Sequence, residues 1–358
     1  MKKLNIAIIG NLCNVGYNLL EILKKDFNVR LYITYLKKHE LDQYSDILKK
    51  DNVFSLNTTS ILMPYHIYKI SRWTDIMHAH TMSPIYARLF KKKDVPMISQ
   101  CHGADIRELS YQKSLLGNLL NKAYRESKII FYVTPDLHIF LKEKKLAEKS
   151  YFLPNYADVP KRRVHRNKKS QTILVPTNYA PIKGLATFYK GFKLFENKYP
   201  DINIKLLIIN VSGSDDYAEF VKSYAPKNYL FISRLPRKKL YRLYEDVDII
   251  VDQFKLGAMG LNSLDPLAHD KHVLAYHARN YDQYYSAPPP LMNCKTPHDV
   301  LRNLEDYYVK KTLPIDNPKG SDWIQDNHSK DVILKTYKTA LSEQLSHIRH
   351  KQDKESSA

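Results

Sequence analysis

The residues best suited to chemistry fall in five loops, each following a short apolar run. The first is Gly10-Asn11-Leu12-Cys13-Asn14-Val15-Gly16. A strand, a Gly/Asn-rich turn and a helix start leave free N–H groups that can cradle phosphate, which makes Gly10, Asn11 and Gly16 candidate binding residues. The loop is not G-x-G-x-x-G, so no dinucleotide fingerprint is present. The second holds His78 and His80, two apart on a strand and therefore on one face. No third ligand of suitable spacing follows, and no metal site is expected. The third, Cys101-His102-Gly103-Ala104-Asp105-Ile106-Arg107-Glu108, gathers ionisable groups at a strand's carboxyl end. His102, Asp105 and Arg107 are candidate catalytic residues there; the plainer reading is a buried histidine beside a surface ion pair.

In the fourth loop, Val175-Pro176-Thr177-Asn178-Tyr179-Ala180-Pro181-Ile182-Lys183-Gly184, a lysine stands just before a helix. A positive charge there opposes the helix dipole unless an anion lies between them, so Thr177, Asn178 and Lys183 are candidate phosphate contacts. The fifth, from Asp252 to Val273, places Gly257 and Gly260 ahead of a helix that carries Leu261 and Asp265. Pro266 suits the first turn of that helix or a kink. The chain has only ten glycines, and six of them (Gly10, Gly16, Gly103, Gly184, Gly257, Gly260) lie in these loops. That clustering points to one phosphate-lined cleft.

The elements that must position these loops alternate. Apolar runs at Ile6–Ile9, Val29–Ile33, Asp75–His80, Met97–Cys101 and Ile129–Thr134 are separated by helical patterns at 15–25, 38–49, 83–91 and 113–126. Strands spaced this way imply βαβ units and a parallel sheet, buried on both faces. Six Lys or Arg in 160–170 break the rhythm and read as a basic linker. Alternation restarts at Thr172 and runs to a helix near 297–309, then a final helix at 321–345. The expected organisation is an α/β chain of two doubly wound, Rossmann-like domains facing a cleft: 1–159, the linker 160–170, 171–320, a helix 321–345 crossing back to the first domain, and a polar tail 346–358.

Composition bounds the partners. The chain has 358 residues, 44% of them hydrophobic and 26% charged, which excludes disordered, collagen-like and disulfide-stapled classes. Three widely spaced cysteines suggest a reducing compartment. No apolar run approaches the roughly 20 residues that cross a bilayer. The expectation is a cytoplasmic protein, peripheral at a membrane at most. With 56 Lys and Arg against 37 Asp and Glu, the net charge of +19 favours anionic partners. Tyr86–Lys93 and the helix at 113–126, with Leu115, Leu116, Leu119, Leu120 and Ala123 on one face, are candidate membrane contacts. Nucleic acid is disfavoured because no binding motif appears.

Taken together, the segments resemble the retaining glycosyltransferases of the GT-B fold, the large family of bacterial and archaeal mannosyl- and glucosyltransferases. Gly10–Asn18 looks like the first-strand loop near the donor phosphates. Asp75–His80 and His102–Glu108 are similar to successive "D-I-x-H-x-H" and "H-G-x-D-I-R" strand ends. Thr134-Pro135-Asp136 and Leu153-Pro154-Asn155-Tyr156-Ala157-Asp158 resemble "T-P-D" and "P-N-x-x-D". Ile182-Lys183-Gly184 matches the donor-diphosphate "K-G", and Asp252–Val273 resembles the donor-binding run "E-x-x-G-L-x-x-x-E-A-M-A-x-G-K-P-V". The terminal helix, with Trp323 and Tyr337, looks like the one that crosses back.

The resemblance implies transfer of a sugar from a nucleotide diphosphate-sugar to a glycan, a lipid-linked saccharide or a phospholipid, with retention and without cofactor or essential metal. Lys183 would then steady the departing diphosphate, His102 would contact the sugar near its reacting carbon, and Asp265 would bind the ribose. The donor set would comprise Gly10, Asn11, Gly16, Thr177, Asn178, Lys183, Gly257, Gly260, Leu261 and Asp265. Departures stand out. Asn178 occupies the place of an arginine, Gly257 that of the first glutamate, and Asp265 that of the second. Arg234, Arg237 or Lys255 are the available replacements for the lost cation. The alternative is a degenerate GT-B protein that binds carbohydrate or supports a partner, and a nucleotide-sugar epimerase is a more distant one.

Overall fold

The computed structural model describes residues 3–161, 169–210 and 215–355. They form two compact units, Met1–Tyr156 with Lys330–Ala358, and Ala157–Ser329.

The first unit is a seven-stranded sheet in the order β3-β2-β1-β4-β5-β6-β7. The strands are β1 (Asn5–Ile9), β2 (Asn28–Tyr35), β3 (Val53–Asn57), β4 (Ile76–His80), β5 (Met97–Cys101), β6 (Ile129–Tyr132) and β7 (Ser150–Phe152). All neighbouring pairs are parallel. β1 is apolar on both faces because helices cover both. Ile6 and Ile8 pack against Leu19, Leu20 and Leu23 of the helix Val15–Leu23, while Ala7 and Ile9 meet Met63, Ile67 and Ile70 of the helix Met63–Trp73. The helix Lys330–Glu355 joins the first of these layers through Ile333, Tyr337, Ala340 and Leu341, the spacing of one helical stripe.

The second unit has six strands in the order β10-β9-β8-β11-β12-β13, again all parallel. These are β8 (Thr172–Val175), β9 (Lys205–Asn210), β10 (Tyr229–Ser233), β11 (Ile249–Val251), β12 (His272–Ala275) and β13 (Met292–Asn293). The helix Ala186–Lys198 buries Phe188, Phe192 and Phe195 against Ile173, Val175, Leu206 and Ile208. Each sheet reverses its strand order once, at β1/β4 and at β8/β11. Doubly wound sheets bind ligands at such points, beyond the carboxyl ends of the strands.

Four local readings are corrected. The stretch expected as a helix at 38–49 holds only a 3-10 segment, Lys38–Tyr44. The edge strands β3 and β7 and the helix Met63–Trp73 complete the first sheet without having stood out in the sequence. The single helix expected at 321–345 is two, Lys319–His328 and Lys330–Glu355, separated by Ser329 in an extended conformation (ψ 165°). Trp323 accordingly belongs to the second unit, where its indole N–H donates to the Ala287 carbonyl at 2.7 Å, whereas Tyr337 belongs to the first. After a break at Leu345 the last helix continues, so the tail expected from 346 is helical as far as Glu355. Of the basic linker, residues 162–168 lie outside the described residues.

Candidate functional site

In the first unit the switch point brings the Gly10 loop beside β4, with Ile9 opposite Ala79 in register. A side chain on Gly16 would fall on the Gly10 carbonyl oxygen, so only glycine lets the loop return over the helix start. Asn11 is buried, and its Oδ1 accepts the Tyr17 N–H at 2.8 Å. That carboxamide therefore fills part of the amide cradle that the sequence suggested for phosphate.

Beside the loop lies a row of imidazoles. His78 and His80 stack with ring centroids 4.8 Å apart, as two residues on one strand face must. His80 Nδ1 sits 3.0 Å from His102 Nε2, and His78 Nδ1 sits 3.3 Å from the Tyr337 hydroxyl. Burial holds His78 down to about 3 and lowers His80 far below the usual imidazole value; His102 is lowered too, by burial against a smaller opposing pull from Asp105. All three rings are therefore neutral at pH 7, and within the His80–His102 contact one nitrogen donates and the other accepts. Among the described residues no group of three His, Cys, Asp or Glu is placed to hold a metal ion.

The other two candidates of the third loop are already engaged. The Asp105 carboxylate accepts N–H bonds from His102, Gly103 and Ile106 at 2.7–3.1 Å, fixing the turn that carries His102. Arg107 crosses over Gly103 to form an ion pair with Asp136. Asp105 and Arg107 thus hold the loop in shape; Asp105 is buried, and His102 and Arg107 are half-buried, Arg107 being committed to its ion pair. The sequence named Asp136 within a motif but gave no sign of its partner. Cys101 is buried, and burial together with Asp105 raises its thiol well above the ordinary value, which removes it as a nucleophile.

The second switch point is tied by buried polar contacts. The Thr177 hydroxyl lies 3.1 Å from both the Val251 carbonyl and the Asp252 carboxylate, and Ser263 donates to Asp252 at 2.6 Å. Asp252 so joins the ends of β8 and β11 to the helix Leu261–Ala268. The Lys183 loop is fastened at a second place, where the Phe254 N–H donates to the Lys183 carbonyl at 2.8 Å. The half-buried Lys183 ammonium meets no carboxylate among the described residues, and exposed Lys255 borders the same Gly184. Asn178 is exposed. Gly257 has φ +69°, and any side chain there would collide with Ala278. Gly260 precedes Leu261 at the helix start, with nothing within 4 Å of where its side chain would begin.

Asp265 is where the structure departs most from expectation. It is buried, and Arg237 Nη2 reaches its two carboxylate oxygens at 2.8 and 3.1 Å. Arg237 also donates to the Tyr241 hydroxyl, Tyr241 packs on His269, and His269 Nδ1–H donates to the Asp265 carbonyl at 2.7 Å. Burial pushes the Asp265 carboxyl up and Arg237 pulls it back. Pro266 stands six residues into its helix rather than in the first turn. Of the three candidate replacement cations, Arg237 is paired, while Arg234 and Lys255 are exposed. The face expected for membrane contact on the helix Leu115–Glu126 divides: Leu120 and Ala123 are buried, Leu115 and Leu116 exposed.

Two parallel α/β sheets of this strand order, with a last helix that belongs to the first unit, define the GT-B fold. Solved structures agree. HepE from Anabaena, crystallised with UDP-glucose, superposes with a TM-score of 0.70 at 11% identity, over 95% of this chain and 100% of its own. The lipopolysaccharide outer core galactosyltransferase WaaB reaches 0.64 at 12% identity, over 95% of this chain and 100% of that one. A UDP-N-acetylglucosamine 2-epimerase from Rickettsia bellii reaches 0.59 at 10% identity, over 98% of each chain. No protein-family model and no curated protein matches the sequence.

Proposed function

We propose that this chain is a glycosyltransferase that takes a hexose from a nucleotide diphosphate-sugar and passes it, with retention and without an essential metal, to a glycan or lipid-linked acceptor. The observation that carries the reading is Lys183. Its loop is fastened at both ends of the β8/β11 switch point, yet its ammonium is left without a counter-charge among the described residues. A cation held in place in this way, next to a helix start, suits the charge that develops on a departing diphosphate. Asn178, Thr177, Gly257, Gly260 and Leu261 would border the donor, with Lys255 as the second cation. His102, neutral and oriented by His80, would hydrogen-bond to the sugar; Asp105 and Arg107 would position it. Two of the neighbouring folds act on or bind UDP-sugars by name, which supports a nucleotide-sugar donor here.

Thermal-shift screening against UDP-, GDP-, ADP- and dTDP-sugars tests the reading. A ligand that binds the folded state alone adds about 2.7 kcal/mol of stability at a hundredfold excess over its dissociation constant. The expected result is a shift with one nucleotide class, lost in Lys183→Ala, followed by sugar transfer on adding acceptor. Release of free epimerised nucleotide-sugar without acceptor would instead select epimerase chemistry.

A second reading is a degenerate subunit, favoured by the commitment of Asp265 to Arg237 in place of a free acidic group. Donor binding without turnover until a partner protein is added would select it.

A further inference from the structure

On β2 the side chains alternate: Val29, Leu31 and Ile33 enter the core, while Arg30 and Tyr32 face the other way, beside Phe54 of β3. The helix Met63–Trp73 packs on β1 and on Leu56 of β3 on that face, but leaves Phe54 exposed and Tyr32 half-buried beside its flank. Between that flank and the two strands lies a cavity of about 520 Å³, within the range that holds small ligands. It occupies the β2–β3 edge, with β1 standing between it and the histidine row of β4 and β5.

Its lining is aromatic and cationic. Tyr32 and Phe54 stack at 5.3 Å, and the Arg30 guanidinium lies 4.1 Å over the Trp73 ring. Phe54 keeps one face open, at 38% exposure. Among the described residues no carboxylate pairs with Arg30 or Lys69. Tyr35 and Asn57 close the far end, about 17 Å along the strand from Arg30 at the usual rise per residue.

We propose that this groove binds an acidic oligosaccharide, a short chain of sugar rings carrying carboxylate, sulfate or phosphate. An open aromatic face suits the C–H side of a pyranose, the two cations suit its charge, and the length suits several linked rings rather than one. A single-stranded nucleic acid fits less well, because bases need successive open rings; here Tyr32 and Phe54 stack on each other and Trp73 is covered by Arg30. The net charge of +19 draws an acidic ligand to the surface. That this ligand is the acceptor rests on the transferase reading; that it binds does not.

Calorimetric titration of the full chain with trigalacturonate, a sulfated and a phosphorylated trisaccharide, maltotriose and oligo(dT) tests it. At least one acidic trisaccharide should bind about tenfold or more tighter than maltotriose, the size of one good charge-assisted contact. Lys69→Gln, on an exposed helical position, and Arg30→Gln should each erase that preference, and Phe54→Ala should weaken acidic and neutral sugars alike. Melting curves confirm that each variant folds. Donor-induced thermal shifts should be unchanged in all three, so loss of the donor reading and loss of this one are separable. Equal binding of acidic and neutral sugars, no binding of any, indifference to the three substitutions, or tighter binding of oligo(dT) would overturn the proposal.

Discussion

The two switch points end in opposite electrostatic states. At β1/β4 the polar groups are turned on one another: three imidazoles in a row, two of them wholly buried, all held neutral, with Asn11 over the helix start. At β8/β11 the buried groups bind the loops together, but half-buried Lys183 and exposed Lys255 have no carboxylate partners among the described residues. The contrast teaches where each type of partner would be handled. A dry, neutral, hydrogen-bonding surface suits sugar hydroxyls, whereas fixed uncompensated cations suit phosphate.

The comparison can be broken most sharply at Arg237. Arg237→Ala leaves the Asp265 carboxylate buried and unpaired, a cost of about 3 kcal/mol at the low end of the range because the guanidinium is partly exposed. Denaturant melts should show it, and the double change Arg237→Leu with Asp265→Leu should recover much of the loss. If the single variant is as stable as the parent, the pair is not the anchor described.

Gly16→Ala should come next, at about 1–3 kcal/mol, since the added carbon meets the Gly10 carbonyl. A neutral outcome would mean that the first loop is loose. The histidine row makes a pH prediction. The unfolded chain protonates His78 and His80 below about pH 6.5 while the folded one resists, so stability should fall as pH drops through that value, by about 1.4 kcal/mol per pH unit for each of these two rings, continuing for His78 to about 3. The difference in melting point between the parent and His78→Phe, followed from pH 7 to 5, isolates that contribution; parallel curves would contradict it. Smallest is Lys183→Ala, which should change stability by less than about 0.5 kcal/mol because the ammonium has no ion pair among the described residues. A large loss would show that Lys183 is structural.

Much of the fold was legible because parallel strands write themselves as largely apolar runs: β4, β5 and β6 are buried throughout, and β1 from Ile6 onward. The edge strand β3, with Phe54 and Ser55 exposed, carries no such run, and β7 has only three residues. The break at Ser329 was hidden because both flanking helices are amphipathic and one residue in an extended conformation leaves no Gly or Pro behind. In the site, the loops and their glycines were readable as strand-to-helix turns. The pairings were not. Arg107 with Asp136 spans 29 residues and Arg237 with Asp265 spans 28, distances at which spacing carries no signal. Tyr337 reaches His78 across 259 residues, so the end of the histidine row could come only from the fold.

The central claim is that the second switch point holds a diphosphate on Lys183. Titration of the parent and Lys183→Ala with UDP-, GDP-, ADP- and dTDP-sugars, read by calorimetry, tests it most directly. The account predicts binding of one nucleotide class to the parent and a loss of about tenfold or more in a variant that melts at the same temperature, as expected when a charge-assisted contact is removed. Equal affinity in both proteins, or binding of no nucleotide-sugar to the well-folded parent, would contradict it.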